Sequence, residues 1–230
     1  MTNAKEIWDY LMKQINNPYG VAAIMGNLMA ESSLNPASAT GKNKTADYIK
    51  DADSGVIDFA NDGVAFGLAQ WCYHTRKQGL IDLAKLCSLS VGDLYLQLEY
   101  LIKEMSGSYK TVWNAVLNAT NIREASDIVM LKYEKPANTS DTAKKKRADY
   151  GQKFFDQYAS IISPTKNKSV YITAKNVNLR IGNGLKYDVF AKAQTGDSFP
   201  WIATAENGWH GVLHRNRVLW VSPDFSELKG

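Results

Sequence analysis

The chain has 230 residues, enough for one large domain or two small ones, and its 45% apolar and 22% charged content is ordinary for a globular protein. Two cysteines, Cys72 and Cys87, exclude a disulfide framework or a cysteine-rich zinc site and are expected to be buried free thiols. The formal net charge of +4 lies wholly after residue 163, which favours a polyanionic partner for the C-terminal part, although a surplus this small decides nothing alone.

The N-terminus, MTNAKEIWDYLMKQ, alternates charged and apolar residues. It lacks the continuous apolar stretch of a signal peptide or a membrane span. Ile7, Trp8, Leu11 and Ile15 then recur at helical spacing, which predicts a helix over residues 4–15. Pro18 suits the first turn of a second helix that runs to about Ser32, where Asn35-Pro36 ends it. From Thr40 to Gly63 the text is polar and turn-rich, and the strand candidates Asp47–Lys50 and Gly55–Phe59 are expected to form a small hairpin or an ordered loop. Helical patterns resume over Thr75–Leu86, Val91–Met105, Lys110–Asn118, Arg123–Tyr133 and Thr142–Tyr158, with N-cap candidates at Thr120-Asn121 and Ser140-Asp141. The basic run Lys144–Arg147 falls within the last of these and reads as a solvated helix face rather than a nucleic-acid patch.

The character of the chain changes near Ser163-Pro164. Residues 161–169 read as a linker between a domain at 1–160 and another at 170–230. Short β-rich runs follow at Val170–Ala174, Asn178–Ile181, Val189–Ala193, Phe199–Thr204, Gly211–His214 and Val218–Val221. Strands at this pitch predict a small all-β barrel or sandwich.

One carboxylate stands out. Val21, Ile24, Leu28 and Glu31 share one stripe of the second helix, so Glu31 extends an apolar face near the helix C-terminus. Lost hydration and the negative end of the helix dipole both disfavour its ionised form. A glutamate that holds its proton near neutral pH suits the general acid of a glycosidase. A glutamate reaching to water from a helix end is the plainer alternative.

The surrounding text favours the first reading. Glu31 sits in Gly26-Asn27-Leu28-Met29-Ala30-Glu31-Ser32-Ser33-Leu34-Asn35-Pro36, and Phe66-Gly67-Leu68-Ala69-Gln70-Trp71 comes some 30 residues later. This pair resembles the lysozyme superfamily, and most closely the phage tail-type lysozymes, with motifs of the form GNxxxES…NP and GxGLxQW. Tyr133-Glu134-Lys135-Pro136-Ala137 resembles that family's later YE+PA segment, and Arg147 and Tyr150 continue the likeness, which spans residues 5–158. The resemblance implies a mostly helical lysozyme-like domain with a small β element and peptidoglycan as substrate. It implies Glu31 as general acid, and a sugar cleft lined by Phe66, Gly67, Gln70, Trp71 and Tyr133. Gly67 also has a physical warrant, since backbone approaches a ligand closely where no side chain intrudes.

Glycosidases usually need a second carboxylate. Asp47, Asp51, Asp53, Asp58 and Asp62 lie between the two motifs. The related goose-type lysozymes carry an Asp a few residues before their FGLMQ segment, which favours Asp62 here, with Asp53 next. Those enzymes have a further Asp just after that segment, where this chain has Cys72. Lytic transglycosylases manage with one glutamate, so lytic cleavage and a non-catalytic wall-binding protein stand as alternatives to hydrolysis of the MurNAc–GlcNAc bond. His210 and His214 show no third partner for zinc, and Cys72 and His74 are too close in sequence to orient as a protease pair. No metal and no cofactor are expected.

In the tail, Asn178-Leu179-Arg180, Gly182-Asn183-Gly184 and Tyr187 resemble the bacterial SH3 (SH3b) pattern N-x-R-x-G-x-G-x-x-Y, and Asn207-Gly208-Trp209 and Leu219-Trp220-Val221-Ser222 match its later signposts. That resemblance implies an SH3-like barrel that binds cell wall, with Tyr187, Trp209 and Trp220 as candidate contacts. The fold class expected is therefore α+β: a helical lysozyme-like domain followed by a small all-β barrel. The biology implied is a phage endolysin or tail lysozyme, made in the host cytoplasm without a signal peptide. It would be released through a pore made by another protein and act on the wall, with no membrane insertion and no nucleic-acid partner.

Overall fold

The computed structural model describes residues 3–159, 168–215 and 217–230. The chain divides into two compact units, one holding residues 3–15 and 19–154, the other 16–18 and the chain from 155 onward. The expected linker at 161–169 falls mainly outside the described residues.

The first unit is helical. Helix α1 (Ala4–Ile15) buries Ile7, Trp8, Leu11 and Ile15, the stripe its spacing predicts. Helix α2 (Pro18–Ser32) starts on Pro18, whose missing N–H is one that a helix start leaves unpaired anyway. It stops just past Glu31, where Ser33 and Leu34 turn to φ 56° and 60°. After α3 (Thr45–Asp53) come α4 (His74–Cys87), α5 (Leu94–Ser106), α6 (Lys110–Leu117), α7 (Ile122–Val129) and α8 (Asp141–Tyr158). Asp93 caps α5 by accepting from the Leu96 N–H at 2.8 Å, and Asn121 caps α7 by accepting from the Glu124 N–H at 2.9 Å. A π-helical turn, Met130–Glu134, follows α7 directly.

Two expectations are corrected. Asp47–Lys50 and Gly55–Phe59 form no hairpin: the first lies within α3, whose buried positions Tyr48 and Ala52 are one helical turn apart. The second is a run of turns, in keeping with the ordered-loop alternative, so the β content of this unit reduces to single bridges from Ala39 to Phe66 and from Phe66 to Trp71. Cys72 and Cys87 are free thiols as expected but exposed rather than buried. Cys72 leaves the loop just after the buried Trp71, and Cys87 closes α4 beside Ser88 in a left-handed conformation.

Helix α2 runs through the core. Val21, Ile24 and Leu28 lose all their surface, which stabilises the fold by about 2 kcal/mol each. A Cβ on Gly26 would lie 2.2 Å from the Arg147 carbonyl oxygen, and one on Gly151 would lie 2.6 Å from that of Ala22. Helices α2 and α8 therefore touch backbone to backbone, and this contact sets Arg147 against the last turns of α2.

The second unit is an antiparallel sheet of β1 (Ser169–Ile172), β2 (Val177–Arg180), β3 (Val189–Ala193), β4 (Ser198–Thr204), β5 (His210–His214), β6 (Arg217–Val221) and β7 (Ser226–Lys229). The order is β3-β2-β6-β5-β4-β1-β7. Val170, Ile172, Val177, Leu179, Val212, Leu219 and Val221 form its core. Strand β7 pairs with β1, Val170 opposite Leu228, and escapes the sequence pattern because three of its four residues are exposed. The fold class is α+β. Among the described residues no helix is long and apolar enough to cross a membrane.

Candidate active site

Glu31 occupies the last turn of α2 with 19% of its side chain open to solvent. Arg147, 9% open, donates through Nη2 to Glu31 Oε1 at 2.6 Å and through Nη1 to Asn27 Oδ1 at 3.2 Å. Asn27 is itself fixed, its Nδ2 donating to the Ala23 carbonyl at 2.9 Å and to Ser126 Oγ at 3.0 Å. The apolar surround expected for Glu31 is thus corrected: the stripe leading to it is apolar, but a guanidinium holds the carboxylate itself. Arg147 is also corrected from a solvated position to a buried one. Lys145 in the same run does face water, pairing with Asp149 at 2.6 Å.

The residue after Glu31 ties the helix to the second motif, since Ser32 Oγ donates to the Leu68 carbonyl at 2.8 Å. Phe66 and Trp71 exchange both backbone hydrogen bonds, at 3.0 and 2.8 Å, and close a tight loop between them. Gly67 there has φ 76°, and a Cβ on it would lie 2.6 Å from Gln97 Oε1. Its bareness admits a buried protein side chain, where the sequence suggested a ligand. Gln97 Oε1 accepts from the Leu68 N–H at 2.9 Å, and its Nε2 donates to the Pro36 and Val91 carbonyls at 2.8 and 2.7 Å. Gln70 is partly exposed; its Nε2 donates to the Gly67 carbonyl and its Oε1 accepts from Thr40 Oγ1, both at 2.9 Å.

Phe66, Trp71 and Tyr133 were expected to line the cleft, but all three are buried. They support the site from beneath. Trp71 Nε1 donates to Glu104 Oε2 at 2.8 Å, and the Tyr133 hydroxyl donates to the same oxygen at 2.6 Å. Arg76 grips Glu104 with Nε and Nη2, both at 2.8 Å, and lies 4.5 Å from the Tyr133 ring centre. Burial, with Glu104 nearby, raises the Tyr133 hydroxyl pKa well above its ordinary value.

Glu134 was quoted only as part of a motif. It ends the π-helical turn, and its Oε1 is shut from solvent and meets no hydrogen-bond donor among the described residues. Burial pushes its carboxyl pKa well above the ordinary carboxylate range, and the Glu31 charge adds to that push, against the pull of Arg76 and Arg147. The signal in the sequence was its adjacency to Tyr133, which the helical pattern turns inward.

Asp62 receives the Lys77 ammonium, buried below it, together with the Tyr48 hydroxyl at 2.7 Å and the Val64 N–H at 2.9 Å. Although burial pulls the other way, these donors hold its carboxyl below the usual range. Asp53 accepts from the Val91 N–H at 2.8 Å.

In the second unit, Trp209 lines a pocket of about 150 Å³ with Asn178, Arg180, Leu185 and Phe225. Tyr187 lies outside it, its ring against Gly182, and Trp220 packs over Gly211. The two histidines of β5 have separate surroundings: His210 Nδ1 meets Ser226 Oγ at 2.9 Å, and His214 packs edge-on to Phe199. Among the described residues no group of His, Cys, Asp and Glu side chains could hold a metal ion.

Residues 2–158, more than half of the chain, match the family described as phage tail lysozyme, and the chain belongs to that family. Its substrate is accordingly peptidoglycan.

Proposed function

We propose that this protein is an endolysin-type N-acetylmuramidase that hydrolyses the MurNAc–GlcNAc bond. In this reading Glu31 protonates the leaving sugar oxygen, and Asp62, kept ionised by Lys77 and Tyr48, is the second carboxylate. The observation that carries the reading is Glu31 itself: a partly open carboxyl at the end of a rigid helix, linked through Ser32 to the Phe66–Trp71 loop. Gln70, on the exposed side of that loop, is the candidate sugar contact. The second unit is read as an SH3b-type wall-binding module, with Tyr187, Trp209 and Trp220 as contacts and residues 161–169 as the connection. Such a module raises the enzyme's local concentration on the polymer. Release through a separate pore-forming protein completes the proposal.

A lytic transglycosylase is the second reading, and one observation favours it. Asp62 already serves Lys77, Tyr48 and Val64, which suits a site that works with a single glutamate.

Mass spectrometry of purified peptidoglycan digested by wild type and by Glu31→Gln tests both. Reducing MurNAc ends that fall by about 10²–10⁴-fold in the variant support hydrolysis with Glu31 as acid. Anhydro-MurNAc ends favour the transglycosylase, and glycan left intact refutes both.

A further inference from the structure

The rim of the candidate site runs on past Gln70. The Ser38 carbonyl accepts from the Gly67 N–H at 2.8 Å, the Thr40 N–H donates to the Ala65 carbonyl at 2.9 Å, and Thr40 Oγ1 donates to Gln70 Oε1 at 2.9 Å, so residues 38–40 are fastened along the glycine-led loop. Gly41, at φ 75°, turns the chain away, and a Cβ there would meet nothing within 4 Å. Beyond the turn, Lys42, Lys44, Tyr48, Asp51, Ile57 and Asp62 line a pocket of about 310 Å³. That is the lower end of the size of small-ligand sites, roughly 300–1,000 Å³. Asp62 is already engaged by Lys77, Tyr48 and the Val64 N–H. Lys42, Lys44 and Asp51 form no ion pair with another described residue. Lys42 Nζ stands 5.4 Å from the ring centre of Tyr48, an attraction that keeps the ammonium beside the pocket.

Two ammonium groups and one carboxylate left over around a pocket suit a ligand that carries both signs of charge, with carboxylates in excess. The sugars of the glycan strand offer neither, since they are neutral once the lactyl carboxyl is joined to peptide. The short peptide on that lactyl group offers both: free carboxylates and the side-chain amine of a diamino acid. A phosphate-rich wall polymer fits less well, because Asp51 repels it. We propose that this pocket is a specificity subsite for the stem peptide, with Lys42 and Lys44 receiving its carboxylates and Asp51 its amine. The proposal rests on the reading of this protein as an enzyme that cuts the glycan strand, and deepens it by naming the part of the strand that is selected. A contact to a part of the substrate that does not react holds ground state and transition state alike, so it acts on KM rather than kcat.

The test gives the full chain glycan strands that carry their peptides and the same strands stripped by an N-acetylmuramoyl-L-alanine amidase. Wild type should cut the peptide-bearing strands with a kcat/KM about tenfold higher or more, mostly through KM, as one or two charged hydrogen bonds supply. The double variant Lys42→Gln, Lys44→Gln changes two exposed side chains and should fold as wild type does. It should bring the peptide-bearing strands down to the level of the stripped ones, keep kcat, and leave the stripped strands unchanged. Equal cleavage of both strands by wild type, or an equal loss on both in the variant, overturns the subsite. Nuclear magnetic resonance with the free stem tetrapeptide reads binding apart from chemistry. Amide shifts should concentrate on residues 41–44 and 48–51 and vanish in the variant; no shifts at millimolar peptide overturn the subsite even where glycan is cut. A chain that cuts neither strand yet shows those shifts refutes glycan cleavage and supports the pocket as a peptide site.

Discussion

Glu104 gives the sharpest energetic test of how the site is braced. Its two oxygens accept from Arg76 twice, from Trp71 Nε1 and from the Tyr133 hydroxyl, all at 2.6–2.8 Å. Glu104→Gln keeps the shape and one oxygen for Trp71 and Tyr133 but turns an amide NH₂ toward Arg76. The guanidinium is then buried without its counter-charge, and breaking a buried pair from one side costs about 3–5 kcal/mol. For a unit of this size each kcal/mol lowers the melting temperature by about 2–4 °C, so the helical unit should melt about 10 °C lower. Far-ultraviolet circular dichroism reads that unit, because nearly all the α-helix lies in it. Adding Arg76→Met removes the stranded cation, and the double variant should recover at least half of the loss. A melt within about 2 °C of wild type, or a double variant no better than Glu104→Gln, would refute the reasoning: the pair would then be so well solvated that it contributes as little as a surface ion pair.

Two further outcomes are expected. Gly26→Ala must push α8 away from α2, because its Cβ would lie 2.2 Å from a carbonyl oxygen; a stability loss of about 3 kcal/mol in urea titration should accompany weakened glycan cleavage, as Arg147 is carried off Glu31. Asp62 has a lowered folded pKa, so its stabilisation is present above the unfolded value of about 3.9 and disappears as pH falls through the lower folded value. Asp62→Asn should flatten melting temperature against pH between 2 and 5, and its effect on cleavage separates the two enzyme readings: a loss above about 100-fold marks a second catalytic carboxylate, a small loss an anchor for Lys77.

Helix α2 was legible because its apolar positions sit at a single period and its ends carry proline and Asn-Pro. Glu31 followed from that stripe. Its partner did not, because four consecutive basic residues read alike in sequence, and only the close approach at Gly26 and Gly151 decides that Arg147 turns inward while Lys145 faces water. Helix α3 was missed because Tyr48 and Ile49 in a short polar stretch carry strand preference, and a nine-residue helix offers too few turns to show its period. Trp71 and Tyr133 were placed in the sugar cleft by the resemblance of their motifs alone. Their polar tips instead serve a buried carboxylate, a long-range contact that no local pattern announces.

The backbone-to-backbone seat of α2 on α8 has a consequence for building hybrids of such enzymes. Side chains between helices act as shims that another sequence can trim or thicken; here no shim exists. A borrowed α8 with anything larger than glycine at position 151 would arrive without room, and a borrowed α2 would meet the same limit at position 26. The two helices stand far apart in the sequence, yet they form one interchangeable part. Crossover points between related chains should therefore either keep both helices from one parent or fall after Tyr158.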